Sequence, residues 1–164
     1  MRMRRPQPFF IAMVAGLLLI LIVVLMADHA KTEDAWILCN PNSYVCVRAK
    51  PSGRGEIIGR FDAGDKIEVT DKKKNGFIKC INLSLEQEEG WICYGYIVYD
   101  EPYVPHFTET YIKSEGRVAA RKTVNGDRRC WLKNNAKIKV YLASDEWCIT
   151  NKGYIKTEFI ELGR

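Results

Sequence analysis

Val45-Cys46-Val47-Arg48, Lys66-Ile67-Glu68-Val69, Phe77-Ile78-Lys79-Cys80 and Trp91-Ile92-Cys93-Tyr94-Gly95-Tyr96-Ile97 form an ordered series of short blocks rich in β-branched and aromatic residues. The series is written again as Val118-Ala119-Ala120-Arg121, Lys137-Ile138-Lys139-Val140, Trp147-Cys148-Ile149-Thr150 and Tyr154-Ile155-Lys156-Thr157-Glu158-Phe159-Ile160. Equivalent positions lie 73 residues apart at Val45 and Val118, 71 at Ile67 and Ile138, 70 at Phe77 and Trp147, and 63 at Trp91 and Tyr154. The offset changes only between blocks, where loops lose residues at little cost. One short pattern written twice suggests a binding device more than a catalyst.

Within the blocks the period is that of strands. Lys66-Ile67-Glu68-Val69-Thr70 and Lys137-Ile138-Lys139-Val140-Tyr141 alternate polar with apolar, as a strand with one buried face does. Pro51-Ser52-Gly53-Arg54-Gly55 and Asp62-Ala63-Gly64-Asp65 carry turn residues, and Asn75-Gly76 marks a hairpin corner. No segment after residue 30 shows a helical period, although a one-turn element fits around Leu83–Glu88. The reading is all-β: a unit over 36–101, a linker over 102–113 containing Pro102 and Pro105, and a second unit over 114–164.

Ahead of both units, Phe9–Ala27 is 19 residues without a charge, preceded by Arg2, Arg4 and Arg5. At about 1.5 Å per residue such a helix spans roughly 28 Å, close to the hydrocarbon core of a bilayer. The arginines place the N-terminus inside and the rest outside. The run exceeds the usual signal-peptide core and lacks a good cleavage site, which favours an uncleaved signal-anchor over a cleaved signal peptide. Residues 1–30 are therefore expected to be a basic tip and a transmembrane helix, and Ala30–Asp34 a polar stalk. This makes the protein single-pass, with its C-terminal part outside the plasma membrane. Secretion after cleavage is the alternative.

The net charge of +5 hides an asymmetry. Residues 28–102 carry 10 Lys and Arg against 13 Asp and Glu, whereas residues 103–164 carry 12 against 7. Beyond two ordinary solvated surfaces, the excess suits a second unit facing an anionic partner: envelope polymer, lipid headgroups or the first unit. Nucleic acid is disfavoured, because the apolar run exports every residue C-terminal to it.

These blocks, with the Pro51-Ser52-Gly53 turn, Ile57-Ile58-Gly59-Arg60-Phe61 and the closing Gly90-Trp91-Ile92-x-x-x-Tyr96-Ile97, resemble the bacterial SH3 (SH3b) family over residues 43–98. Residues 116–161 resemble it as a diverged copy. There Tyr154 replaces the tryptophan, Thr123-Val124-Asn125-Gly126 replaces the proline-serine turn, and Cys130-Trp131 replaces Gly59-Arg60. The resemblance implies two small SH3-like half-open barrels that bind peptidic parts of the cell wall or partner proteins. Tyr44, Asp62, Tyr94 and Tyr96 are the expected ligand-binding residues, since amphipathic rings serve such recognition. Trp91, Phe77 and Trp147 are expected in cores. Arg48 and Arg121 recur at one position, where a structural ion pair or loop clamp is the plainer account.

Six cysteines lie beyond the membrane run: Cys39, Cys46, Cys80, Cys93, Cys130 and Cys148. An even count in small exported domains reads as disulfides. Pairing inside units forces Cys130–Cys148 in the second unit and leaves three arrangements in the first. Among these, analogy with the SH3b fold favours Cys39–Cys46 or Cys46–Cys93. Free buried thiols acting as small hydrophobes are the alternative. No Cys-x₂₋₄-Cys pair exists, and His29 and His106 fall outside the repeated blocks, which disfavours zinc. Glu86-Gln87-Glu88-Glu89 reads as a solvated turn rather than a catalytic carboxylate pair. No catalytic residues, metal or cofactor are expected. The function read from the sequence is non-catalytic binding of peptidoglycan peptide or another wall component. A protein–protein adaptor in an envelope machine of conjugative or secretion type is the alternative.

Overall fold

The computed structural model describes residues 31–81, 89–105 and 108–162. The run Phe9–Ala27, the turn around Leu83–Glu88 and His106 lie outside them. Among the described residues no helix is long and apolar enough to cross a membrane.

The chain from Thr32 onward is one compact unit holding two antiparallel sheets. The first contains β1 (Thr32–Ile37), β2 (Tyr44–Arg48), β3 (Ile57–Asp62), β4 (Lys66–Lys74), β5 (Phe77–Ile81), β6 (Glu89–Cys93) and β7 (Ile97–Val98), in the spatial order β3-β2-β6-β5-β4-β1-β7. The second contains β8 (Glu109–Tyr111), β9 (Val118–Arg121), β10 (Arg128–Leu132), β11 (Lys137–Ala143), β12 (Trp147–Thr150) and β13 (Gly153–Lys156), in the order β10-β9-β13-β12-β11-β8. Apart from β7, the two orders correspond strand for strand. A 3₁₀ turn follows β6 at Tyr94–Tyr96, and another follows β13 at Thr157–Phe159. The blocks ending at Ile97 and Ile160 are therefore each a strand, a tight turn and a short return, not one continuous strand. The described residues are all-β, in two small SH3-like half-open barrels.

Alternation decides what is buried. In β4, Ile67 and Val69 are buried while Lys66 is exposed, and in β11, Ile138 and Val140 are buried while Lys137 and Lys139 are exposed. The Asn-Gly corner holds positive φ at both residues, 53° at Asn75 and 77° at Gly76, the geometry that matches the twist of a two-residue hairpin.

Two boundaries differ from the sequence reading. Thr32, Glu33 and Asp34, read as stalk, are strand residues opposite Thr70, Val69 and Glu68, and Asp34 pairs with Lys66 at 2.7 Å. The stretch read as linker contains β8, with Glu109–Tyr111 opposite Lys139–Lys137, and beyond it Ile112 bridges Ile160. Both segments are polar and lack alternation. Each is a strand because the open edge of a longer neighbour supplies its hydrogen bonds.

All six cysteines are free thiols. The expected disulfides, Cys130–Cys148 and either Cys39–Cys46 or Cys46–Cys93, are therefore absent. In the second sheet β9 and β13 stand between β10, with Cys130, and β12, with Cys148. Cys39, Cys80 and Cys148 instead pack as small buried groups in the two cores. Burial pushes the thiols of Cys80 and Cys148 up to about 11. Cys39 is also raised to about 11, by burial first and then by the charges of Asp62 and Asp65.

Each barrel has its own core, the first around Val47, Val69, Ile78 and Ile92, the second around Val118, Val140 and Ile155. A third apolar cluster joins them. Leu38 and Val98 from the first meet Val124, Leu142, Trp147, Ile149 and Tyr154 from the second, with Trp36, Tyr96 and Tyr141 at its border. Fully burying one large apolar side chain contributes about 1.5–3 kcal/mol, so a seam of this size holds two small barrels together. A backbone bond crosses it as well, from Val124 N–H to Gly95 O at 2.8 Å, while Tyr103, in the connection between the barrels, exchanges bonds of 2.7 and 2.9 Å with Ala143 of the second.

Candidate functional site

Beside this seam lies a cleft of about 530 Å³ with walls from both barrels. The first barrel contributes Cys39, Asn40, Ser43, Tyr44, Cys46, Arg48, Phe77, Cys93 and Tyr96. The second contributes Lys122, Arg129, Tyr141, Thr150, Asn151 and Tyr154. Tyr44 is at the mouth, 53% exposed, with the Arg60 guanidinium 5.4 Å from its ring centre. Tyr154 is at the base, 3% exposed, and its hydroxyl donates to the Leu38 carbonyl at 2.7 Å. The Tyr96 ring stands 6.3 Å from that of Tyr154, tilted by 60°. Burial pushes both phenols above their ordinary ionisation range, so the floor is neutral and aromatic.

Tyr154 occupies the position of Trp91 in the first barrel. Trp91 is half-buried in its own sheet beside Lys79, whereas Tyr154 reaches across the seam to the other barrel. A tryptophan there has no hydroxyl to offer the Leu38 carbonyl. Gly153, just before it, has φ +119°, and a Cβ there would lie 2.4 Å from the Arg121 carbonyl oxygen, so only glycine brings β13 this close to β9.

Arg48 and Arg121 are loop clamps. Arg48 Nη1 donates to the Gly55 carbonyl at 2.6 Å, and Arg121 Nη1 to the Gly126 carbonyl at 2.8 Å. Each fixes the loop that leaves its strand, here 49–56 and 122–127.

Of the four expected ligand residues, the structure brings two into the cleft, Tyr44 and Tyr96. Asp62 sits opposite Tyr44 in the β2–β3 register and lines an adjoining hollow of about 400 Å³ with Pro41, Val104 and Leu142. Tyr94 lies apart, with Asp100, Val124 and Trp147 around a hollow of about 260 Å³ and the Lys73 ammonium 4.3 Å from its ring centre. Trp147 is buried as expected, while Phe77 and Trp91 are half-buried. Residue-by-residue reading did not single out Asn40, Lys122, Arg129 and Asn151. The one signal for the two cations was the positive balance of the second unit.

The cleft presents three cations, Arg48, Lys122 and Arg129, several amide and hydroxyl groups, and four half-buried or exposed rings, Tyr44, Phe77, Tyr96 and Tyr141. No carboxylate or histidine is among the described residues that line it. Such a surface orients and holds a ligand through stacking, hydrogen bonds and charge.

Residues 43–98 match the bacterial SH3 domain family. No curated protein is similar to the chain in sequence. Among solved structures, NlpC1 from Trichomonas vaginalis is 13% identical with a TM-score of 0.34, over 82% of this chain and 47% of that one. NlpC2 from the same organism is 12% identical with a TM-score of 0.33, over 82% and 49%. This chain thus spans about half the length of either. The endolysin LysPBC5 CBD is 11% identical with a TM-score of 0.32, over 83% of this chain and 97% of that one.

Proposed function

We propose that this chain is a bacterial binding module, held at the outer face of the plasma membrane by Phe9–Ala27, that recognises a peptide of the cell wall. Its second barrel is, in this reading, a diverged copy of the SH3 domain matched by residues 43–98. The shared strand order of the two sheets supports that duplication. The observation that carries the function is the aromatic cleft beside the seam, reached by Tyr44 and Tyr96 of the matched domain. Amphipathic rings flanked by amides suit an extended peptide, which offers backbone groups to hydrogen-bond and little bulk to exclude. The membrane run raises the effective concentration of the site next to the wall.

The test is co-sedimentation of the full chain, in detergent, with purified sacculi. Retention with the sacculi, weakened by Tyr44→Ala and Tyr96→Ala, supports wall binding. No retention, together with recovery of one envelope protein after crosslinking in cells, would support the adaptor reading. Tyr111 at 53% and Trp131 at 49% exposure, two rings outside the cleft, favour this second reading.

A further inference from the structure

We infer that the cleft is selective for a carboxylate-bearing peptide, with Lys122 and Arg129 of the second barrel gripping the carboxylate while the aromatic wall of the first holds the chain. This rests on the peptide-binding reading above and gives the diverged barrel a role of its own.

Four basic residues lie close together here, and the structure uses them differently. Arg121 is spent on the Gly126 carbonyl, and the Arg128 guanidinium stacks 4.6 Å from the Trp131 ring centre. Lys122 and Arg129, exposed along their side chains, line the cleft and form no ion pair among the described residues. Four lysines elsewhere pair with acids, Lys66 with Asp34, Lys79 with Glu89, Lys113 with Glu161 and Lys137 with Glu109; what sets Lys122 and Arg129 apart is that they line a cleft together. Among the described residues the cleft lining has positive charge and no acid, a surface complementary to a ligand that brings a carboxylate.

The backbone aims Arg129 at that position. Arg128 pairs with Arg121 and Cys130 with Ala120, so Arg129 is the extra residue of a β-bulge. Bulges re-aim a side chain out of the alternation of its strand. Lys122 follows β9 directly, its N–H fixed to the Asp127 carbonyl at 2.9 Å, which places both cations on one hairpin. A planar guanidinium beside an ammonium matches a carboxylate, and Asn40 and Asn151 offer amides to the adjoining peptide bonds. These amides and rings favour a peptide acid over a phosphate polymer. The cavity, about 530 Å³, accommodates a short stretch rather than a polymer.

The test titrates the full chain, in detergent, with acetyl-Ala-Glu-Ala bearing both free carboxylates and with its fully amidated counterpart, by calorimetry and by NMR shifts. The acid is expected to bind roughly tenfold or more tightly than the amide, with the preference shrinking as salt rises. The double variant K122Q/R129Q, altered only at exposed side chains, is expected to erase that preference and keep the wild-type melting temperature. Equal binding of acid and amide, shifts confined to residues outside the cleft, or displacement of the peptide by millimolar inorganic phosphate would each overturn the inference. Sacculi separate the two readings. If K122Q/R129Q sediments with sacculi as well as wild type, the inference falls and wall binding stands. If no form sediments, wall binding falls, and the peptide titration still decides the carboxylate preference.

Discussion

Replacing Tyr154 by phenylalanine removes one oxygen from the seam and keeps the ring. That oxygen donates its proton to the Leu38 carbonyl at 2.7 Å, across 116 residues of sequence, between groups that are 3% and 0% exposed. Water cannot replace the lost donor, so the cost is that of a buried carbonyl deprived of its partner, about 1–3 kcal/mol. For a chain of this size roughly 4 °C of melting temperature corresponds to each kcal/mol, which gives a fall of about 4–12 °C. The distribution of the loss tests the architecture more sharply than its size. Leu38 belongs to the first barrel and Tyr154 to the second, and both lie in the third apolar cluster. If that cluster makes the barrels one cooperative unit, thermal unfolding of the variant stays a single transition. Amide exchange then accelerates by the same factor in Val47 and Ile92 of the first barrel as in Val140 and Ile155 of the second. Circular dichroism gives the first quantity and hydrogen exchange the second. A melting temperature within a degree of wild type, or faster exchange in the second barrel alone, would refute the reasoning.

Three further outcomes rest on the same geometry. Gly153→Ala forces a Cβ to 2.4 Å from the Arg121 carbonyl oxygen at φ +119°, a backbone clash with no flexible side chain to yield, and should lower the denaturant midpoint by the equivalent of about 2 kcal/mol or more. Arg48→Ala removes the 2.6 Å clamp on Gly55; it should speed proteolysis within 49–56 and cost about 1–2 kcal/mol, while Arg121→Ala does the same at 122–127. The native protein should expose Cys46, Cys93 and Cys130 to a thiol reagent at neutral pH and withhold Cys39, Cys80 and Cys148, which react only on unfolding. These three thiols have folded-state pKa values raised from 9.0 to about 11, so the fold favours their neutral form. Their contribution is full below pH 9 and is lost as pH rises from 9 to 11. Chemical denaturation across that window should show stability falling, more gently in Cys80→Ala, and a flat profile would contradict the burial assigned to them.

The sequence by itself determined what depends on neighbours along the chain. Two-residue alternation placed Ile67, Val69, Ile138 and Val140 inward, because a strand shows successive side chains to opposite faces wherever it sits. Asn75-Gly76 set its corner because few other pairs tolerate positive φ at both positions. The ordered blocks and their spacing carried the SH3 resemblance. Only the tertiary structure decided the rest. Thr32–Asp34 and Glu109–Tyr111 became strands through edges offered by β4 and β11, which no local pattern announces. Six cysteines suggested crosslinks, yet pairing depends on where strands fall in a sheet, and the three most buried became core filler. In sequence Tyr154 only replaces the tryptophan of the first copy; its role follows from the second barrel lying against the first, where its hydroxyl meets the Leu38 carbonyl. The cleft has the same origin. Tyr44 and Tyr96 on one side and Lys122 and Arg129 on the other come from opposite halves of the chain, and a surface made by packing two modules exists in neither module's sequence taken alone.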